Sequence, residues 1–113
     1  MPLISVYTNR SVDREKADRI KEGCGSAISL IPGKDETWLM VDVEGDRFLY
    51  FGGSDAPCVM TEVKIFRKAP AGSYDALTAA LCDLLSKALD VPTDRIYVKY
   101  EEVDHWGWNR KNF

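Results

Sequence analysis

One histidine, three cysteines, no excess of basic residues and no long apolar run already exclude several functions for this 113-residue chain. His105 cannot build a histidine-rich metal set by itself, and the sequence names no Ser or Cys partner that would place it in a nucleophilic triad. It reads as a surface residue. Cys24, Cys58 and Cys82 cannot all pair with one another, and their spacing matches no metal motif. They read as reduced, buried thiols, with no zinc or haem site expected. Fifteen basic residues stand against 18 acidic ones, a formal charge of −3, which argues against a dedicated nucleic-acid binder. No apolar segment approaches the roughly 20 residues of a spanning helix, so no membrane partner is expected. MPLISVYTNR lacks the charged start and long apolar stretch of a signal peptide. A cytoplasmic protein is expected, or one exported without such a signal. Gly52-Gly53-Ser54 lacks the helix start and Lys of a nucleotide loop and reads as a tight turn.

What is present is an ordinary globular composition, 45% hydrophobic and 29% charged, sufficient for one domain over residues 1–113. LISVYT (3–8) is rich in β-branched and aromatic residues and predicts a strand. Ser11 is placed to cap a helix from about Val12 to Leu30, where Ala17, Ile20, Cys24, Ala27, Ile28 and Ile31 recur at helical spacing. Gly23 and Gly25 weaken that helix by about 1 kcal/mol each relative to Ala, so packing has to hold it. Pro32-Gly33 ends it. TWLMVDV (37–43) predicts a strand, Glu44-Gly45-Asp46 a turn, FLYF (48–51) another strand and CVMTEVKIF (58–66) a long one. Ser73 is placed to cap a second helix, with Tyr74, Leu77, Leu81, Leu84, Leu85 and Ala88 along its apolar stripe. After a break at VPTD, RIYVKYEEV (95–103) predicts the last strand, and the tail HWGWNRKNF is too aromatic for a disordered end.

Two halves thus share one layout: strand, amphipathic helix, a hydrophobic-Pro break at Ile31-Pro32 or Val91-Pro92, then strand. A strand–helix–strand unit favours a parallel pair with a right-handed crossover. Two such units side by side make an α/β (α+β) fold, a four-stranded sheet with both helices on one face. Residues of both parities are apolar at Trp38, Leu39, Met40 and Val41. The uncovered face is therefore expected to be apolar and to be covered by further copies of the chain.

Pro2 is the principal candidate for chemistry. Removal of Met1, which a small second residue permits, makes Pro2 an N-terminal secondary amine. Such an amine is a general base without metal, histidine or cofactor: α-amino pKa values lie near about 7.7–8.0, and burial or a nearby cation lowers them. The same Met-Pro start also suits the head of an edge strand. Lys34, just after the Pro-Gly break, is either solvated surface or a cation that holds a substrate carboxylate and depresses the Pro2 amine. Tyr97 and Lys99 alternate with Ile96 and Val98 and share one sheet face. Trp106, Trp108 and Phe113 are packing or oligomer contacts, or the walls of a slot for an aryl ring.

Taken together, these residues resemble the macrophage migration inhibitory factor family of the tautomerase superfamily, over essentially the full length. The carriers are Met1-Pro2, Thr8-Asn9, Gly33-Lys34, FGGSDAPC (51–58), DRIYVKY (94–100), GWN (107–109) and Asn112-Phe113. The resemblance implies a homotrimer of β-α-β-repeat subunits whose sheets enclose a channel, with no cofactor. It implies keto–enol tautomerisation of phenylpyruvate-type 2-oxo acids at sites between subunits. Pro2 maps to the catalytic base, Lys34 to the carboxylate-binding Lys, Tyr97 to a Tyr supplied by the adjacent subunit, and Trp108 and Phe113 to pocket walls. Lys99 stands where the best-known members have an Asn that contacts the far end of an aryl substrate, which implies either a preference shifted toward anionic groups or a further lowering of the Pro2 pKa. Phe66 stands at the usual pocket Ile, with Ile65 before it at a small polar position. Cys58-Val59-Met60-Thr61 lacks the Cys-x-x-Cys pair of mammalian members, so thiol–disulfide activity is not implied. The alternative is a secreted cytokine mimic that binds a host receptor; for that role Asp46 fits and Arg10 is offset.

Overall fold

Four strands pair in the order β2-β1-β3-β4 in the computed structural model, which describes residues 1–113. They are β1 (Pro2–Thr8), β2 (Met40–Glu44), β3 (Val59–Phe66) and β4 (Ile96–Val103). Helix α1 (Arg14–Ala27) joins β1 to β2, and α2 (Ala71–Leu89) joins β3 to β4. β1 runs parallel to β2, and β3 parallel to β4. The two middle strands are antiparallel, pairing Pro2 with Ile65 and Thr8 with Val59. This is the fold expected from two β-α-β units.

Strand alternation decides where the core sits. Ile4 and Val6 of β1 and Val59, Val63 and Ile65 of β3 all point to the helix side. There they pack with Ile20, Cys24 and Ile28 from the first helical segment and Leu77, Leu81 and Leu85 from α2. Each such side chain, fully buried, contributes about 1.5–3 kcal/mol. Burial also pushes the Cys24 thiol up to about 12, which makes it unreactive. All three cysteines are free.

Several local expectations are corrected. Ser11 does not cap α1, because its hydroxyl donates to Asp46 Oδ1 (2.8 Å). Asp13 caps instead, its carboxylate accepting the Lys16 N–H (2.9 Å), a stronger acceptor at the positive helix end. The helix tightens to a 3₁₀ turn at Ile28–Leu30. The second strand begins at Met40 rather than Thr37. Asp35 Oδ1 accepts the Thr37 N–H (2.9 Å) and closes a 3₁₀ turn over Glu36–Trp38. Nor does Ser73 cap α2: it lies inside the first turn and donates back to the Pro70 carbonyl, while Pro70 takes the cap position.

FLYF forms no strand; only Phe51 makes an isolated bridge, to Ser54. Side chains claim the carbonyls of this loop. Asn9 Nδ2 donates to Leu49, Asp55 and Ala56, and the Arg95 guanidinium to Phe51, Ser54, Ala56 and Pro57.

The uncovered sheet face also differs from expectation, being charged at its centre. Lys99 Nζ lies 3.2 Å from Glu62 Oε2 and 3.0 Å from Glu101 Oε1, and Lys64 Nζ is 3.7 Å from Glu62. The apolar β-branched residues fall on the helix-side parity of β3, and Trp38 and Leu39 precede β2, so they add nothing to the open face. The hydrogen bond from Lys99 holds the Glu62 carboxyl below the usual carboxylate range, and Glu101 and Glu62 raise the Lys99 ammonium.

Gly23 accounts for the glycine pair in α1. A Cβ there would collide with the Leu84 side chain of α2, and one at Gly25 with the Glu36 carboxylate. Gly23→Ala is therefore expected to lower stability, because an overpacking cost of about 1–3 kcal/mol exceeds the propensity gain of about 1 kcal/mol. Gly25→Ala, where only a flexible exposed side chain must move, is expected to raise it. Urea denaturation of both variants against the parent chain checks the opposite signs.

Candidate active site at the N-terminus

β1 lies between two neighbours, so its first residue is inside the sheet. Pro2 is buried, and Met1 extends the ladder by one residue, its carbonyl accepting the Phe66 N–H (3.0 Å). Gly33, at φ 78, takes the left-handed conformation that turns the chain after Pro32. Lys34 then reaches back across the structure, and its Nζ donates to the Phe66 carbonyl (3.3 Å). The N-terminus, Lys34 and the end of β3 converge at one point.

Aromatic rings wall this point. Trp38 meets Trp108 edge to face, with centroids 5.1 Å apart, and Phe66 meets Phe113 at 5.5 Å. Trp108 and Phe113 stack at 6.3 Å. Their placement comes from a terminal hairpin, β5 (Gly107–Trp108) with β6 (Lys111–Asn112), closed by the Phe113 N–H donating to Trp106 O (3.0 Å). Two adjoining concavities result. One of about 420 Å³ is lined by Met1, Gly33, Trp38, Phe66, Trp108 and Phe113. The other, about 380 Å³, includes Met1, Pro2, Trp38, Trp106 and Trp108.

The electrostatics suit an uncharged amine. Burial, and then the Lys34 charge, lower the pKa of the Met1 α-amine from its ordinary value, with Asp35 acting the other way. In this form Pro2 nitrogen is an amide and not basic. No three His, Cys, Asp or Glu residues are grouped to hold a metal ion, and no helix is long and apolar enough to cross a membrane.

Six of the eight site residues read from the sequence therefore gather here: Pro2, Lys34, Phe66, Trp106, Trp108 and Phe113. Tyr97 and Lys99 do not. Tyr97 pairs with Met60, five residues along β3 from the Ile65 that pairs with Pro2. At about 3.3 Å per residue, that offsets Tyr97 from Pro2 by about 17 Å along the strand direction, in addition to two strands across the sheet. Its ring packs on Phe51 (4.6 Å) beside a separate concavity of about 310 Å³. The Lys99 ammonium is occupied by Glu62 and Glu101.

Sequence reasoning missed Trp38, assigning it to a strand. The signal was Asp35 two residues before Thr37, a side-chain-to-backbone turn that lifts the next residue out of a strand path.

The family profile described as macrophage migration inhibitory factor (MIF) matches residues 1–112. The chain is 26% identical to the macrophage migration inhibitory factor of Xenopus laevis over 115 residues, covering 100% of this chain and 99% of that protein. It is 29% identical to the Mus musculus protein over 119 residues, with the same coverages. Among solved structures, MIF2 of Leishmania major superposes with a TM-score of 0.94 at 26% identity, covering 100% of this chain and 97% of that one. The MIF homologue of Prochlorococcus marinus gives 0.89 at 25% identity, covering 98% of both chains. With sequence and fold agreeing from end to end, the chain belongs to the macrophage migration inhibitory factor family.

Proposed function

We propose that the chain, once Met1 is removed, is a cofactor-independent keto–enol tautomerase of phenylpyruvate-type 2-oxo acids, with Pro2 as general base. The observation that carries this reading is the concavity lined by Met1 and four aromatic rings, with the Lys34 ammonium held at the carbonyl of one lining residue, Phe66. The substrate carboxylate docks on Lys34 and its ring lies among Trp108, Phe113 and Phe66. Removing Met1 also removes the acceptor of the Phe66 N–H, leaving that donor beside Lys34 for the same carboxylate. Neutral Pro2 takes a proton from the carbon next to the carbonyl while the C–H electron pair forms the enolate. The protonated amine then returns a proton to oxygen, giving the enol. Ketonisation runs the same steps in reverse. Lys34 stabilises the enolate as its charge develops.

Tyr97 serves the site of a neighbouring copy, since it lies about 17 Å from Pro2 along the sheet of its own chain. A head-to-tail contact that closes after three copies, the homotrimer the family implies, brings the two ends together. FLYF supports this arrangement. Phe48 and Tyr50 are 97% and 65% exposed while Leu49 and Phe51 are half-buried, the alternation of a strand without a partner in its own chain. The edge strand β2 offers such a partner, with Met40 70% exposed. The aromatic-walled concavity beside the N-terminus favours the enzymatic reading over the signalling one.

Four outcomes are expected. Pro2→Gly lowers kcat/KM for phenylpyruvate enol–keto exchange by about 10²–10⁴-fold, the usual contribution of a general base; unchanged turnover would sink the mechanism. Since only the neutral amine accepts a proton, kcat/KM rises with pH through a midpoint below the ordinary α-amino range of about 7.7–8.0. Lys34→Ala is expected to move that midpoint upward, because the charge that lowers the Met1 amine here would act on the Pro2 amine that replaces it, and a pH–rate profile of both proteins reads the direction. Phe48→Asp puts a charge at the proposed interface and is expected to shift the sedimenting species from trimer to monomer, with loss of turnover; a monomeric parent chain would refute the shared site.

A further inference from the structure

Five residues other than glycine have positive φ: Asp46, Arg67, Asp90, Asn109 and Arg110. Four have local reasons. Asp and Asn tolerate the left-handed region because their short polar side chains bond locally. Asp90 also ends α2 as its left-handed cap. Asn109 and Arg110 form the two-residue turn between β5 and β6, a connection that favours positive φ at both positions. Arg67, at φ 68, has neither reason. It directly follows β3, and its N–H is held by the Val103 carbonyl (3.0 Å). Glycine would adopt this backbone more easily than any long side chain.

That unfavourable backbone accompanies a particular placement of the side chain. The guanidinium carbon lies 5.1 Å from the centroid of the Phe66 ring. Phe66 lines the larger concavity at the N-terminus, and its carbonyl receives the Lys34 ammonium. Arg67 is exposed, and none of the five ion pairs in the structure includes it. Phe66 is therefore flanked by two cations, Lys34 at its carbonyl and Arg67 at its ring. A guanidinium over an aromatic face keeps its planar fork of N–H donors available, the geometry that holds a carboxylate through two parallel hydrogen bonds.

We propose that Arg67 is a specificity-determining residue at the mouth of the site, which selects 2-oxo acids carrying a second carboxylate over monoanionic ones. The inference rests on the reading of the N-terminal concavity as the substrate site. Lys34 holds the carboxylate next to the reacting carbonyl. Arg67 holds the one at the far end, with the aromatic walls between them. The left-handed backbone at position 67 is maintained because it aims a cation there, and strain of this kind is characteristic of functional positions.

Calorimetric titration with phenylpyruvate and with 4-carboxyphenylpyruvate, which differ only by the second carboxylate, isolates the contribution of Arg67. Protein lacking Met1 is expected to bind the dianion about tenfold more tightly, the effect of one additional charge-assisted contact. Arg67→Gln is expected to bring the affinity ratio to about one. Arg67→Gly is expected to do the same while raising Tm, because glycine relieves the backbone; an unchanged or lower Tm would overturn the strain argument. Equal affinities in the parent protein, or a preference that survives Arg67→Gln, would overturn the proposal. Binding is read without turnover. A protein that prefers the dianion but does not tautomerise phenylpyruvate defeats the general-base reading and leaves the Arg67 assignment standing.

Discussion

The ladder that pairs Pro2 with Ile65 carries the start of the chain into the interior of a sheet, where an N-terminus would otherwise fray. This is possible because β1 is a middle strand, held on one side by β2 and on the other by β3. The Met1 carbonyl and the pairing of Pro2 with Ile65 then tie the first two residues to β3. Lys34 and Phe66 meet the N-terminus because the same ladder ends there, and the Met1 carbonyl takes the last N–H that β3 offers. An amine so placed is partly desolvated and next to a cation, and both effects favour its neutral form.

The opposite end of the sheet has its own economy of contacts. Arg95 and Asn9 spend their donors on the carbonyls of one loop, which fixes Phe51 against Tyr97. The loop cannot then fold back as a strand within its own chain, and its aromatic side chains face outward. Each chain holds the N-terminus, Lys34 and Phe66 at one end of the sheet and Tyr97 at the other. The charged centre of the open face, organised around Lys99, Glu62 and Glu101, separates the two and is satisfied within the chain.

Much of this was legible in the residues. Alternation in CVMTEVKIF and the helical stripe Leu77, Leu81, Leu85 specified elements whose local periodicity and burial agree. The two hydrophobic-Pro breaks marked the ends of equivalent units. What escaped were positions where a side chain competes with backbone pairing. Asp13 displaced Ser11 as a cap, Asp35 pulled Trp38 out of a strand, and Asn9 and Arg95 took the Leu49 and Phe51 carbonyls of FLYF. The Asp35 turn is local, but Asp46 draws Ser11 away from the helix, and Asn9 and Arg95 reach FLYF, from positions far apart in sequence whose distances composition does not encode.

The candidate site divides along the same line. The sequence by itself named the candidate chemistry: a proline directly after Met1, one lysine after a Pro-Gly turn and aromatic residues at the tail. It also determined the two-unit fold, because strand and helix periods are local properties. Only the tertiary structure decided which of these residues meet. Parallel pairing within each unit and antiparallel pairing between them set Pro2, Lys34 and Phe66 together and sent Tyr97 to the far end of the sheet. The physical reason is register: once the ladder joins Pro2 to Ile65, every other distance along the sheet follows from the rise of a strand.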